Sequence, residues 1–311
     1  MDIMTPMDNG ICLNVTVISD THIDVKHPRP ALPVGRLADV LTDIREANDD
    51  ALVIVGDTTS HGVDANWSLF RATVEKTGCP AKQFLIAIGN HDTWDDGDDS
   101  AIPRYLRYTA EVTGLKHEKP YFAEYVNGYP FLFLGSERDA GCAAYISEEQ
   151  LLWFASEMET AAAVGKPVFV FCHQSLNQKH GLPVTWDADE DPNAAPWDGG
   201  VGDASDRIEQ ILKRYPNVFY FSGHSHMGLA GEGMKAARGY ASIEREGSLT
   251  LVNLPSLACG NHHGERNDMG VGVQIEAYPD RVLLRVRRHS DRVWNTEVSV
   301  DGGKPFFEQL L

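Results

Sequence analysis

Residues 51–57 read ALVIVGD and residues 83–92 read QFLIAIGNHD: an unbroken apolar run, then glycine, then carboxylate, amide and imidazole groups. Apolar runs of this length, without polar alternation, read as strands buried on both faces. The same pattern extends along the chain. Residues 14–18 (NVTVI) lead into SDTH at 19–22, residues 167–171 (PVFVF) into Cys172-His173, and residues 217–221 (NVFYF) into GHSH at 223–226. Each polar motif is therefore expected where a strand ends, the edge at which open α/β sheets bind ligands. Asp, Asn and His side chains delivered by five strand ends point to a metal site.

Between these runs the periodicity changes. Residues 35–48 repeat Leu37, Val40, Leu41 and Ile44 at helical spacing, and residues 67–74 form a second helical pattern between strands at 51–55 and 84–88. That βαβαβ order predicts a parallel sheet with right-handed crossovers. Runs at 121–126 and 131–134 flank Asn127-Gly128, a type I′ hairpin signal. A helix is expected from Ser147 to about Ala163, followed by strands at 168–171 and 218–221. From Ser248 onward the chain reads as antiparallel strands at 249–253, 271–277, 282–287 and 294–300. Two sheets with helices outside are expected to pack as one sandwich, since no Ser/Gly/Pro-rich linker divides the chain. The expectation is a single domain over residues 1–311, with its core at about 12–300 and a loop or cap insertion at about 174–203, far longer than common connections.

Composition narrows the function classes. Asp and Glu outnumber Lys and Arg 45 to 27, which disfavours nucleic acid and anionic membranes as partners. No apolar stretch approaches the roughly 20 residues of a membrane span. The opening MDIMTPMDNG lacks the charge and apolar pattern of a signal peptide, and five scattered cysteines form no CxxC pair; a cytoplasmic chain with free thiols is expected.

Phosphate-ester hydrolysis requires charge screening, a better nucleophile than water and a stabilised leaving group, and two divalent cations about 3.5–4 Å apart address all three. Asp57, at a strand end beside Gly56, is suited to bridging two ions, and neutral imidazoles with an amide oxygen favour Zn, Fe, Mn or Co. Asp20 and His22 stand at i and i+2, so in extended chain their side chains leave on one side; His224 and His226 repeat the spacing. His91 is expected to diverge from Asn90 toward the substrate, with Asp92 orienting its ring.

These residues resemble the calcineurin-like metallophosphoesterase superfamily, whose ordered motifs DxH, GD, GNH(D/E), H and GHxH appear as Asp20-Thr21-His22, Gly56-Asp57, Gly89-Asn90-His91-Asp92, His173 and Gly223-His224-Ser225-His226. The resemblance implies an α/β fold, a four-layer α/β/β/α sandwich of two mixed sheets flanked by helices. It implies one metal held by Asp20, His22, Asp57 and His226, another by Asp57, Asn90, His173 and His224, and catalysis by His91 with Asp92. The implied function is hydrolysis of a small phosphodiester by metal-activated hydroxide on two transition-metal ions (Mn, Fe or Zn). Phosphomonoester hydrolysis, as by a nucleotidase or sugar phosphatase, is the alternative, and a non-catalytic scaffold of the same fold a weaker one.

Two departures argue against well-known branches. Ser60 stands where purple acid phosphatases carry a tyrosine ligand, and His61 and Ile88 stand where protein phosphatases carry arginines, leaving similarity to bacterial cyclic-nucleotide and glycerophosphodiester phosphodiesterases. His61 is a candidate phosphate contact and equally a plain loop histidine. His180, Trp186 and His263 are candidate substrate contacts, set against loop-anchoring roles. The acidic run 92–99 (DTWDDGDD) reads beyond Asp92 as solvated loop charge that would repel highly anionic substrates.

Overall fold

The computed structural model describes residues 10–94, 100–179, 199–226, 243–259, 270–294 and 306–311. Its first half alternates β1 (Leu13–Ile18), α1 (Ala31–Ala47), β2 (Ala51–Val55), α2 (Asp64–Thr77), β3 (Gln83–Ala87) and α3 (Ala101–Thr113). A hairpin of β4 (Phe122–Val126) and β5 (Tyr129–Phe133) follows, then α4 (Glu148–Ala162), β6 (Val168–Phe171), α5 (Ser205–Leu212) and β7 (Val218–Ser222). The chain continues with β8 (Ile243–Glu246), β9 (Leu249–Asn253), β10 (Val271–Ala277), β11 (Arg281–Arg288), β12 (Val293–Trp294) and β13 (Phe306–Leu310).

One sheet runs β12-β11-β10-β1-β2-β3 with β13 on β11; the other runs β4-β5-β6-β7-β9-β8. Both are mixed. Strands β1, β2 and β3 are mutually parallel, as are β5, β6, β7 and β9, so within each parallel set the C-terminal strand ends share an edge.

Alternation along fully buried strands explains the layers. In β6, Phe169 and Phe171 face the first sheet, while Val168 and Val170 face α4 and α5. In β1 and β2, Val15, Val17, Val53 and Val55 join that central core, while Ile18, Leu52 and Ile54 meet Leu37, Val40, Leu41, Ile44, Trp67 and Phe70 of the helices. Phe133, Phe171 and Phe221 occupy paired positions on β5, β6 and β7, with neighbouring rings 4.9 and 5.3 Å apart. Each such buried side chain contributes roughly 1.5–3 kcal/mol, so a strand with both faces apolar demands cover on both. The result is the expected α/β/β/α sandwich.

Local signals act as anticipated. Ser147 accepts a hydrogen bond from the Gln150 amide at the start of α4, and Asn127 and Gly128 both take positive φ in the hairpin turn. Two expectations need correction. Strand β9 pairs parallel with β7 and antiparallel with β8, in the second sheet, rather than continuing into β10. Helix α3 was not anticipated, although Ala101, Tyr105, Tyr108 and Thr109 are buried and Ile102, Leu106 and Val112 pack against the same core at helical spacing. Of the strand expected at 294–300, only Trp294 lies within the described residues. No described helix is long and apolar enough to cross a membrane.

Candidate metal centre

The motifs after β1, β2, β3, β6 and β7 meet at one place. The Asp20 amide donates to Gly56 O (3.2 Å), the His22 amide to Asp57 O (3.0 Å) and the Gly223 amide to His173 O (3.0 Å). Three glycines permit this approach. A Cβ at Gly56 would stand 2.5 Å from the His173 ring, one at Gly89 2.2 Å from the Asp57 amide nitrogen, and one at Gly223 1.9 Å from Ser19 Oγ. Glycine is required here so that the loops can touch one another.

Asp20, His22, Asp57 and His226 bring ligand atoms within 4.8 Å of one another, and so do Asp57, His173 and His224. Asp57 is common to both groups. His226 Nε2 lies 3.1 Å from Asp20 Oδ1, His173 Nε2 lies 3.1 Å from Asp57 Oδ2, and His22 Nε2 lies 3.6 Å from Asp57 Oδ2 and 2.9 Å from His226 Nε2. Asn90, the amide of the expected second set, is buried three residues after the end of β3.

The reason Asp20 and His22 converge differs from the extended-chain expectation. Asp20, His22, Asp57, His224 and His226 all have positive φ, between 46° and 66°. They are half of the ten non-glycine residues with positive φ among the described residues. A left-handed backbone costs roughly 1–3 kcal/mol at each non-glycine position, so strain is concentrated at this site.

Unpartnered polar atoms test whether these residues suit a cation. Asp20 Oδ1, Asp57 Oδ2, both amide atoms of Asn90 and His173 Nε2 are buried without a hydrogen-bond partner. Buried polar atoms normally have partners, and the Asp20 and Asp57 oxygens converge on His173 Nε2, which lies 3.8 Å from one and 3.1 Å from the other. His173 Nδ1 lies 2.8 Å from Val55 O; because a carbonyl only accepts, Nδ1 carries the proton and Nε2 turns toward Asp57. Burial disfavours charge on His173, but the Asp57 and Asp20 carboxylates outweigh it and raise its pKa to about 9, a proton filling the role open to a cation. Burial lowers His22 and His224 to about 3, leaving both imidazoles neutral and ready to ligate. Burial opposes ionisation of Asp57, yet the His173 and His91 imidazoles hold its carboxyl well below the usual range. Buried carboxylates, neutral imidazoles and one amide fit divalent metal ions.

His91 stands beside this cluster. Its amide donates to Asp57 Oδ1 (2.9 Å), its Nε2 lies 4.0 Å from Asp57 Oδ2, and its side chain keeps 26% exposure while His173 is fully buried. Asp92 does not orient it. The Asp92 carboxylate accepts from the amides of Thr58, Thr59 and Gly89 and from Thr59 Oγ1, tying the loop after β2 to the loop after β3. Burial and the neighbouring Asp57 raise Asp92 to about 7. The group that holds His91 is the Ser60 carbonyl, 2.9 Å from Nδ1, and no sequence signal marks a backbone oxygen for that task. Trp94, also passed over, lies against His91 with ring centroids 3.8 Å apart; its position three residues after His91 was the available clue.

Other candidates are less central. The His61 side chain is exposed, and its carbonyl accepts from Asn66 Nδ2. Ile88 is buried in the helix-side core and Cys172 in the core under α4 and α5. His180, Trp186 and His263 lie outside the described residues, as does most of the loop 174–203.

Residues 13–228 match the family model for calcineurin-like phosphoesterases. The "Probable glycerophosphodiester phosphodiesterase GpdQ" of Arcobacter nitrofigilis is 25% identical over 174 residues, 51% of this chain and 56% of that protein. A "Probable cyclic nucleotide phosphodiesterase" of Synechococcus is 35% identical over 88 residues, 27% of this chain and 33% of that protein. The matches thus span about half of one relative and a third of the other. Among solved structures, a dimetal phosphatase from Danio rerio superposes with a TM-score of 0.61 at 13% identity, covering 93% of this chain and all of that one. A purple acid phosphatase from yellow lupin gives 0.63 at 12%, covering 95% and 53%. At such identities the likeness is one of fold.

Proposed function

The chain belongs to the calcineurin-like phosphoesterases, and on that premise we propose that it is a metal-dependent hydrolase of small phosphodiesters. The observation that carries this reading is the pair of ligand groups sharing Asp57, with His91 alongside and more exposed than the ligands around it. Asp20, His22, Asp57 and His226 would hold one ion, and Asp57, Asn90, His173 and His224 the other. When bound, the ions supply neutralisation of phosphate charge and acidification of a water. The chain's own residues do the rest. Asp57 would be shared by both ions, the Val55 carbonyl keeps His173 Nε2 turned inward, and His91, held through Nδ1 by Ser60 O, would offer Nε2 to the leaving oxygen. With Nδ1–H committed to a carbonyl, proton donation by His91 requires the imidazolium form, with a proton on each nitrogen.

The diester preference draws support from the two curated relatives, both named as phosphodiesterases, and from Ser60, His61 and Ile88 at positions that carry tyrosine or arginine in other branches. We read residues 1–311 as one domain, with a loop or cap insertion at about 174–203.

Hydrolysis of bis(p-nitrophenyl) phosphate, p-nitrophenyl phosphate, cyclic nucleotides and glycerophosphodiesters, with Mn²⁺, Co²⁺ or Zn²⁺ and after chelation, tests the proposal. Metal-dependent turnover with diesters ahead of monoesters is expected; no turnover of either class would refute it. His91→Ala should lower kcat by about 10²–10⁴ with metal content preserved, the range for a lost general acid.

A further inference from the structure

We infer that Trp94 is a positioning residue for His91, its indole holding the imidazole so that Nε2 stays turned toward Asp57; this rests on His91 acting in the proposed hydrolysis. His91 needs such a partner. Its side chain is a quarter exposed, so core packing does not lock it, and its terminal torsion is intrinsically broad. The bond from Nδ1 to Ser60 O fixes one point of the ring and leaves it free to pivot about that point. His22 meets it edge-on, with centroids 4.7 Å apart at 84°, and the indole of Trp94 packs at 3.8 Å and 48°.

Trp94 is itself held by its backbone. Its amide donates to His91 O (3.3 Å), and its carbonyl accepts from the Gly62 amide (2.6 Å). Gly62 belongs to the same three-residue stretch as Ser60, so one segment supplies both the carbonyl that holds Nδ1 and the amide that holds Trp94. That segment can lie so close only because residue 62 lacks a Cβ, which would stand 2.1 Å from Asp92 O. Arg104 of α3 then anchors it by donating from Nη1 to Gly62 O at 2.6 Å. The ring and its brace thus form one unit, built from the loops after β2 and β3.

The test uses the full chain reconstituted with Mn²⁺ and bis(p-nitrophenyl) phosphate. Trp94→Ala should lower kcat roughly 10- to 100-fold while KM stays within about twofold, since reactive groups misplaced by about 1 Å lose rates of that order. Two metal ions per chain should remain, and Trp94→Phe should recover most of kcat. A second readout does not depend on turnover. In the Zn²⁺-reconstituted protein, ring ¹⁵N NMR should show a slowly exchanging His91 Nδ1–H in the wild type and Trp94→Phe, and its loss in Trp94→Ala. Should Trp94→Ala not fold, Trp94→Leu carries the same measurements. Unchanged kcat with the Nδ1–H signal intact overturns the inference, as does a rise in KM alone, which would make the indole a substrate platform. A wild type that hydrolyses no ester refutes the proposed function instead, and the NMR comparison still decides the positioning role.

Discussion

Asp57 is the side chain common to both ligand groups, and Asp57→Asn keeps its shape while removing its charge. An ion present at about a thousandfold above its Kd stabilises the folded chain by roughly 4 kcal/mol, so two contribute roughly 8 kcal/mol. A chain of 311 residues, at about 2.1 cal/mol/K of unfolding entropy per residue, unfolds with about 0.65 kcal/mol/K. Filling both sites should therefore raise Tm by about 12 °C. Asp57→Asn leaves Asn90, His173 and His224 without an anionic ligand and the other group with Asp20 alone; its metal-induced shift should fall below about 3 °C. Asp20→Asn removes a carboxylate from one group only, so one ion and a shift of about 6 °C should survive. The assay is calorimetry of chelated protein with and without Mn²⁺, paired with metal counting by mass spectrometry. If each variant lost a single ion and kept the same shift, the shared carboxylate would be refuted.

Two further predictions concern the frame around the site. Gly56→Ala forces a Cβ within 2.5 Å of the His173 ring at φ +79°, and should cost about 2–4 kcal/mol with reduced metal uptake. Gly165→Ala, at φ +75° in open space, should cost about 1–2 kcal/mol and leave metal content unchanged. The contrast is read from urea midpoints and metal counts. Asp43 of α1, buried, accepts from Arg287 Nε (2.8 Å), Arg287 Nη2 (2.6 Å) and His289 Nδ1 (2.8 Å). Burial opposes its ionisation, yet the Arg287 and His289 hydrogen bonds lower it to about 2 from 3.8. A depressed folded pKa means stability that is present above pH 3.8 and lost as pH falls through about 2. Asp43→Asn strands a buried guanidinium and should cost about 3–5 kcal/mol at pH 7. Urea titrations should find that deficit shrinking by roughly 2 kcal/mol between pH 4 and pH 2; a constant deficit refutes the linkage.

Much of the architecture was legible because burial leaves a pattern in the chain. Leu37, Val40, Leu41 and Ile44 were read as one face of a helix, and that face packs on β1 and β2. The doubly apolar runs were read as strands covered on both faces, and each is. The parts that escaped carry weaker signals. Helix α5 has eight residues, and α3 mixes tyrosines whose hydroxyls reach Ile86 O, Ser68 and Asp64 with Ile102, Leu106 and Val112 at helical spacing, a face that a search for aliphatic runs passes over. The parallel pairing of β9 with β7 escaped an antiparallel reading because alternation fixes which side of a strand is buried, never which neighbour it pairs with.

The candidate site divides along the same line. Which side chains stand at the strand ends, and that they are acceptors suited to a cation, follows from the sequence alone, because a buried strand must stop where polar residues begin. What those residues do to one another was decided by tertiary structure. Left-handed backbone, not extended chain, turns Asp20 and His22 together. Asp92 ties two loops, and the Ser60 carbonyl and Trp94 indole take the place expected of it beside His91. The physical reason is that a carboxylate serves whichever donors come within reach. Loops from separate strands set that reach, approaching as closely as Gly56, Gly62, Gly89 and Gly223 allow.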